Sequence, residues 1–375
     1  MAQPLRVLFA GSPDIAVPAL KAVVAAAQLV GVLTNPESQK GRGGGDATGT
    51  PVARATALLP GPAVPVLAFE HLGPQSREAV LALAPDLLVS FAYGRIFGPK
   101  FLALFPYGGL NVHPSLLPRW RGPTPIPAAI LHRDAESGVS VQRIAVAADL
   151  GAADLGAAPP GSGIDSGDIL AFERIPLGGR ETCASLSETA SEVGARLLAK
   201  VLADLAAGRE LARPQEGEVT SSRLLHKDDG LIDWSAGVLD IDAMVRAYDP
   251  WPGAFTWLRG QRLAILEALA MPGATWPVAA GLEPAAAGPE PAAAGLKPVA
   301  AGLKPAAAGP GLQPRPGTIL GLDKSCGLVV QGTDGLMALR RLQLQQRKAL
   351  AWKEFANGVR DLPGTAFSPG PEPRA

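Results

Sequence analysis

The sequence LRVLFAGSPDIAVPALKAVV, residues 5–24, decides the predicted fold. Residues 5–10 form a run that is apolar apart from Arg6 and typical of a buried strand, and an apolar-periodic stretch follows the turn. Ser12 is predicted to cap a helix, and Pro13 suits its first position. The segment therefore predicts a strand, a tight turn and a helix in immediate succession.

The same alternation continues along the next two hundred residues. Strand-like apolar runs lie at 29–34, 86–93 and 110–113, and helical periodicity lies at 77–83 and 126–132. The sequence Ser185-Leu-Ser-Glu188 is a capping box that predicts a long helix ending near Ala207. Strands that are apolar on both faces and alternate with helices indicate a parallel sheet covered by helices. We therefore predict an α/β domain with a Rossmann-like parallel sheet over residues 1–208.

The pattern changes after residue 208. Residues 209–222 are polar and aperiodic, which predicts a linker. Short alternating runs separated by Gly-rich turns then predict a small all-β barrel of the OB type over residues 223–360. A low-complexity insertion interrupts this domain at about 272–314. Because its seven-residue units each contain Pro and Gly, they exclude a continuous helix, and we expect the insertion to be disordered.

The composition limits the function classes. Lys and Arg total 34 and so do Asp and Glu, so any contact with RNA must come from local patches rather than a global basic field. No stretch offers the ~20 uninterrupted apolar residues of a membrane helix, and the N-terminus lacks a secretory signal. Cys183 and Cys326 stand far apart without a CxxC motif or a neighbouring His. We expect a cytoplasmic protein without a metal site or a disulfide framework.

Two polar side chains on a predicted strand suggest chemistry. Asn111 and His113 are two residues apart, so their side chains point to the same face and can converge on one atom. An amide beside an imidazole suits the stabilisation of an oxyanion. Taken alone, the pair also fits a turn asparagine and a hydrogen-bonded core histidine. A nicotinamide cofactor is not expected, because Pro13 stands where a dinucleotide-binding turn needs glycine.

The segment GLNVHPSLLPRWRG, residues 109–122, resembles the signature of the folate-dependent formyltransferases, in which Asn-x-His-x-Ser-Leu-Leu-Pro follows a strand. Residues 163–168, GIDSGD, are similar to the family's Leu-Asp-x-Gly loop, and residues 92–96, AYGRI, to the segment that lines the pterin pocket. The resemblance implies that Asn111, His113 and Asp165 are catalytic. It also implies a set of folate-binding residues, namely Tyr93, Gly94, Arg95, Ile96, Ser115, Leu116, Leu117 and Pro118.

The C-terminal half resembles one branch of this family. Residues 233–235, 246–253 and 316–320 are similar to the C-terminal domain of the members that formylate methionine attached to tRNA. This implies 10-formyltetrahydrofolate as the formyl donor and initiator methionyl-tRNA as the partner. The chemistry needs no metal, no cluster of metal ligands stands out in the sequence, and we expect a monomer. A stand-alone formyltransferase for an amino sugar nucleotide and a non-catalytic folate- or RNA-binding relative are the alternatives.

The resemblance also implies a mechanism. Asn111 and a charged His113 would stabilise the oxyanion that forms when the amine attacks the formyl carbon, and Asp165 would keep His113 charged and accept a proton.

The sequence departs from the family pattern at several positions. Pro114 stands where Gly is usual, and residues 145–160 look inserted before the catalytic loop. They bring Asp149 and Asp154 close to Asp165 in sequence, with Asp168 following, but Asp165 is the residue that aligns. The loop at 35–50 keeps Lys40 and Arg42, which we expect to bind tRNA.

Overall fold

Strand β1 (Arg6–Ala10) and helix α1 (Val17–Ala26) form at the N-terminus as predicted, with a 3-10 turn at Asp14–Ala16 between them. The structure is a computed structural model that describes residues 4–36, 49–145, 163–209, 211–276 and 314–371. Ser12 does not cap the helix. Its hydroxyl oxygen instead accepts a hydrogen bond from the backbone N–H of Asn35 at 3.0 Å, which ties the first turn to the end of the neighbouring strand.

The first sheet has seven strands, of which five are parallel. Its order is β3-β2-β1-β4-β5-β6-β7. Strands β3, β2, β1, β4 and β5 pair in parallel, whereas β6 is antiparallel to both β5 and β7. The strands after β1 are β2 (Gln28–Thr34), β3 (Val66–Ala68), β4 (Leu87–Phe91), β5 (Gly109–His113), β6 (Glu136–Arg143) and β7 (Ile169–Pro176).

The parallel arrangement that the sequence predicts is confirmed for β1, β2, β4 and β5. Strand β3 joins them although its short run was not predicted, and the arrangement does not extend to β6 and β7. Strand β6 is absent from the prediction because one of its buried faces carries polar side chains, Ser140 and Gln142, each 1% exposed. A strand with this composition lacks the apolar signature of a central parallel strand. Its polar groups find hydrogen-bond partners that only the folded chain supplies.

Among the described residues up to 209, five further helices follow α1. They are α2 (Pro51–Ala57), α3 (Pro74–Ala82), α4 (Pro99–Leu102), α5 (Pro125–Leu131) and α6 (Cys183–Ala206). Helix α6 begins two residues before Ser185, which therefore lies in its first turn. Gly194 lets α6 approach β5 closely, since a Cβ atom there would lie 2.9 Å from a methyl carbon of Val112. This contact fixes one face of the strand that carries Asn111 and His113.

The C-terminal part contains a six-stranded antiparallel sheet, as the sequence predicts. Its order is β10-β11-β12-β9-β8, with β13 paired to β12. Residues 366 and 368 bridge Thr318 beside β10 and Trp257 of β8, so one segment links both edges and closes the sheet. The elements are α7 (Val238–Ala247), β8 (Phe255–Leu258), β9 (Gln261–Pro272), β10 (Ile319–Asp323), β11 (Gly327–Gln331), β12 (Gly335–Leu344), β13 (Leu350–Ala351) and α8 (Trp352–Gly358).

Helices α7 and α8 were not expected in an all-β domain. In α7, Val238, Ile241 and Val245 recur at helical spacing and are at most 3% exposed. They join the same apolar core as the inward side chains of the strands. The helical spacing of α7 was therefore present in the sequence. It was overlooked because the neighbouring segments have the alternating pattern of strands.

The chain divides into two compact units. The first comprises Met1–Ile126, Glu136–Pro176 and Ser185–Leu224, and the second comprises Pro127–Ala135, Leu177–Ala184 and Leu225–Ala375. Most of the expected insertion, at 277–313, lies outside the described residues, as does the stretch at 146–162 that precedes Asp165. Within the described part of the chain, no helix is long and apolar enough to cross a membrane.

Residues 277–313 should be dispensable for stability. Residues 272–276 are not part of this test, because a Cβ atom on Gly321 would lie 2.7 Å from the Trp276 ring. Strands β9 and β10 lie three positions apart in the sheet, roughly 14 Å, so a flexible link of about ten residues can join them. We expect a Gly/Ser link of this length to leave the melting temperature nearly unchanged, because a longer surface loop adds little closure entropy. A large fall in calorimetry would show that the tract packs.

Candidate functional site

Asn111 and His113 lie at the carboxyl end of β5, where open parallel sheets place their ligand sites. Val112, between them, points to the opposite face and packs against Gly194 of α6. The alternation of the strand therefore directs both polar side chains to one face, as the sequence predicts. Asp165 lies in the loop before β7 and has a positive φ of 53°.

The carboxylate of Asp165 is the point at which these segments meet. Its Oδ1 accepts hydrogen bonds from Asn111 Nδ2 at 3.2 Å and from Gln142 Nε2 at 2.8 Å. Its Oδ2 accepts from the backbone N–H of Gly122 at 2.9 Å and lies 3.5 Å from His113 Nδ1. Four donor groups from three separate segments therefore surround one carboxylate, whose side chain is 15% exposed.

The ring of His113 has an oxygen acceptor beside each nitrogen. Nε2 lies 2.9 Å from the carbonyl oxygen of Trp120, and Nδ1 faces the carboxylate of Asp165. A carbonyl oxygen can only accept, so Nε2 carries a proton in this contact. If Nδ1 also carries a proton, it can donate toward Oδ2 of Asp165. A ring protonated on both nitrogens, an imidazolium, therefore fits this arrangement. Because His113 is only 4% exposed, its positive charge would be paired with Asp165 in a buried setting.

Two glycines allow the loops to come this close. Gly122 has a φ of 103°, and a Cβ atom there would lie 2.6 Å from the carbonyl oxygen of Ser222. At Gly167, a Cβ atom would lie 1.8 Å from the carbonyl oxygen of Arg143. No side chain fits at either position without moving backbone. The glycine two residues after Asp165 is therefore required by the close approach of its loop to β6.

The residues of the expected pterin segment occupy different environments. Tyr93 is 1% exposed and stacks on Phe97, with ring centroids 5.3 Å apart, in the apolar core beside β4. Burial raises the pKa of its phenol, and its hydroxyl has no hydrogen-bond partner among the described residues. Arg95 donates to the carbonyl oxygen of Phe69 at 2.8 Å. Gly94, with a φ of 79°, and Ile96, 44% exposed, lie at the surface.

The expected folate residues 115–118 form a turn fixed to β6. The Ser115 hydroxyl donates to the carbonyl oxygen of Arg119 at 2.5 Å, so it points into its own turn. The backbone N–H of Leu117 donates to Ser140 Oγ at 3.2 Å, and Ser140 donates to the Ser115 carbonyl at 2.8 Å. Leu116 contacts the same strand, and Pro118 follows a cis peptide bond. The tRNA-binding candidates Lys40 and Arg42 lie outside the described residues.

Three polar residues of this site were missed by the sequence reasoning. Gln142 binds Asp165 directly from β6, where it lies opposite Asn111. Gln215 contacts the backbone of the Asp165 loop from the segment that was predicted as a linker. Burial lowers the pKa of Arg121, and the charge of Asp165 acts in the opposite direction. Arg121 stands inside the motif and could have been noticed, whereas nothing in the local sequence marks the two glutamines.

An amide, an imidazole and a carboxylate at the carboxyl edge of a parallel sheet define a site suited to acyl transfer. No group of three or more potential metal ligands occurs among the described residues.

Comparisons with known proteins agree with this class. The family described as formyl transferase matches residues 6–159, and its C-terminal domain matches residues 224–360. A methionyl-tRNA formyltransferase from Treponema denticola is 37% identical, over 96% of this chain and 98% of its own. The methionyl-tRNA formyltransferase from Treponema pallidum (strain Nichols) is 39% identical, over 94% of this chain and 96% of its own. The chain therefore belongs to the formyl transferase family and, within it, groups with the methionyl-tRNA formyltransferases.

Solved structures share the fold at low identity. HypX from Aquifex aeolicus, in complex with tetrahydrofolic acid, aligns with a TM-score of 0.54 at 14% identity, covering 96% of this chain and 48% of that one. An N-formyltransferase from Helicobacter canadensis, in complex with folinic acid and dTDP-3-aminofucose, aligns with a TM-score of 0.52 at 15% identity, covering 92% and 100%. These likenesses concern the fold alone.

Replacing Asp165 with Asn should lower kcat by at least about 100-fold. The variant keeps the shape but removes the charge that pairs with His113, and it turns an amide N–H2 toward donors that need an acceptor. Some loss of stability, about 1–3 kcal/mol, is also expected. Steady-state kinetics with a parallel urea titration separates the two effects. Asp168→Asn, at an exposed carboxylate three residues away, is the matched control, and equal losses in both variants would contradict the role of Asp165.

Proposed function

We propose that this enzyme transfers the formyl group of 10-formyltetrahydrofolate to the α-amino group of methionine on initiator methionyl-tRNA, in support of translation initiation. The convergence of Asn111 and His113 on Asp165 carries the proposal, because it supplies oxyanion donors and a proton acceptor in one place. The relatives named methionyl-tRNA formyltransferase, which match nearly the whole chain, support the choice of acceptor.

The reaction forms one bond and breaks another. The amine nitrogen attacks the formyl carbon, and the carbonyl oxygen becomes an oxyanion. The Asn111 amide has two hydrogens, of which Asp165 engages one, so the other can bind this oxygen. The ring of His113 lies on the same face of β5, and with protons on both nitrogens, which face Asp165 and the carbonyl oxygen of Trp120, it adds electrostatic stabilisation. The oxyanion then collapses, and the bond from carbon to N10 of the folate breaks.

Asp165 can carry the proton that this exchange moves. The amine loses one proton when it becomes an amide, and N10 gains one when tetrahydrofolate leaves. A carboxylate held beside the reacting atoms can accept the first and return it, which is general acid–base catalysis. The hydrogen bonds to Oδ1 and Oδ2 hold the carboxylate in place between these two steps.

Two loops would hold the folate. Residues 93–96 follow β4 and residues 115–118 follow β5, and these strands are neighbours in the sheet. Both loops therefore leave the carboxyl edge beside Asn111 and His113. We propose that backbone groups of the two loops bind the folate, because the side chains of Tyr93 and Ser115 are turned into the protein.

We also propose that the enzyme acts as a monomer in the cytoplasm. Charged initiator tRNA is used where translation starts, so an enzyme that modifies it belongs in that compartment. Sedimentation equilibrium of the purified protein would test the monomer, whose mass would be 38.4 kDa. A mass of twice this value would reject it.

Purified protein should formylate methionyl-tRNA in the presence of 10-formyltetrahydrofolate. The product is measured as formylmethionine released from the tRNA and identified by mass spectrometry. Free methionine and a dTDP-linked amino sugar serve as competing acceptors, and we expect turnover of neither. Preferred turnover of the amino sugar would replace the proposed acceptor, and binding of folate without transfer to any acceptor would identify a non-catalytic relative.

Arg42→Ala should weaken tRNA binding and leave folate binding unchanged. A guanidinium in a Gly-rich loop can pair with backbone phosphates, and the loss of one such contact should raise the KM for tRNA about tenfold and reduce the salt slope by about one. Kinetics at several salt concentrations measures both quantities. Lys100→Ala, which removes an exposed charge from α4, is the control. An unchanged KM in the Arg42 variant would reject the role, and Lys40→Ala should behave like Arg42→Ala.

A further inference from the structure

The segment 211–222 is attached at both ends to the loops that form the site. Near its start, Arg213 exchanges two backbone hydrogen bonds with Ile169, at 3.0 and 2.8 Å, directly after the Asp165 loop. Near its end, Arg121 donates to the carbonyl oxygen of Thr220 at 3.0 Å and accepts from the N–H of Ser222 at 2.7 Å. The segment thus joins the Asp165 loop to the loop that carries Gly122.

Gln215 lies between these two attachments, and both the nitrogen and the oxygen of its side-chain amide form hydrogen bonds with residues of the site. Nε2 donates to the carbonyl oxygens of Asp165 at 2.7 Å and Gly167 at 2.9 Å, and lies 3.3 Å from Oε1 of Gln142. Oε1 accepts from Nε and Nη2 of Arg121, at 3.1 and 2.7 Å. The amide therefore connects the Asp165 loop, β6 and the Gly122 loop.

The chemistry of these partners fixes the direction in which the amide points. A guanidinium has only donors and a backbone carbonyl oxygen only accepts. Arg121 must therefore face Oε1, and Nε2 must face the two carbonyl oxygens. The reverse orientation would place N–H against N–H on one side and oxygen against oxygen on the other.

We propose that Gln215 is a positioning residue for Asp165, which rests on the proposed function of Asp165 in formyl transfer. Asp165 adopts a left-handed backbone conformation, which costs a non-glycine residue about 1–2 kcal/mol. Its carbonyl oxygen is held by Gln215 and its carboxylate by donors from β5, β6 and the Gly122 loop. Gln215 thus fixes the main chain from which the catalytic carboxylate projects.

This role differs from that of a catalytic residue. Gln215 reaches Asp165 through its backbone and makes no contact with Asn111 or His113 in the described contacts. Loosening it should shift the carboxylate relative to the His113 ring, where the separation is already 3.5 Å. The chemical step should suffer, because small displacements of a catalytic group are costly, whereas substrate binding should not.

Three variants test the proposal. Gln215→Glu keeps an oxygen for Arg121 but has no N–H for the two carbonyl oxygens, and Gln215→Ala removes both contacts. Glu216→Ala, at the exposed neighbour, is the control. We expect kcat to fall roughly 10- to 100-fold in both Gln215 variants, with the KM values for folate and tRNA within about twofold of wild type. The Glu variant keeps its pairing with Arg121 but turns its second oxygen toward two carbonyl oxygens, so we expect a modest fall in melting temperature, smaller than in Gln215→Ala, and kcat is measured well below both transitions.

A second measurement does not depend on activity. The protein has four histidines, so ¹⁵N-histidine NMR can resolve the ring of His113, assigned with a His113→Gln variant. We expect the His113 signals to shift in both Gln215 variants and the other three to stay in place. If the wild-type protein were inactive but the His113 signals still moved in both Gln215 variants, the proposed function would be rejected and the positioning role of Gln215 would stand. Unchanged His113 signals and unchanged kcat in Gln215→Glu, or a fall in kcat that follows melting temperature alone, would overturn the proposal.

Discussion

The hydrogen-bonded carboxylate of Asp165 is the interaction on which the rest of the site depends. It is mostly buried, and an ionised carboxylate taken out of water without partners would destabilise the fold by several kcal/mol. The donors that offset this cost come from β5, from β6 and from the loop at Gly122. The carboxylate has all its hydrogen-bond donors only when β5, β6 and the Gly122 loop are all in place. Its burial therefore couples the positions of these three segments.

The same constraint accounts for the polar side chains of β6, the antiparallel strand beside β5. A sixth parallel strand would require an apolar composition on both faces. Strand β6 instead carries Ser140 and Gln142 inward, and both are bonded to the loops that surround the site. Strand β6 thus places two polar side chains, where a parallel strand would have apolar ones, directly beside Asn111 and His113. The site at the carboxyl edge of the parallel strands therefore stays accessible, while Ser140 and Gln142 of β6 fix the turn at 115–118 and the carboxylate of Asp165.

Much of the fold and part of the site could be predicted from local patterns. The apolar runs predicted four of the five parallel strands, and the spacing of two residues placed Asn111 and His113 on one face, which the structure confirms. The short alternating runs gave the strands of the C-terminal sheet. The predicted cap at Ser12 was wrong, because its hydroxyl binds the neighbouring strand end instead. Strand β6 and helices α7 and α8 were missed. Their local patterns did not stand out, and contacts with distant parts of the chain determine their structure.

The sequence by itself determined which residues form strands and helices and which strand carries the amide and the imidazole, because periodicity and alternation act over a few residues. Only the tertiary structure decided what surrounds Asp165. Gln142 and Gln215 lie 23 and 50 residues from it, and a polar residue in a strand or a predicted linker carries no local mark of its partner. Hydrogen bonds form between groups that the folded backbone brings within about 3 Å, and that proximity is a property of the whole chain.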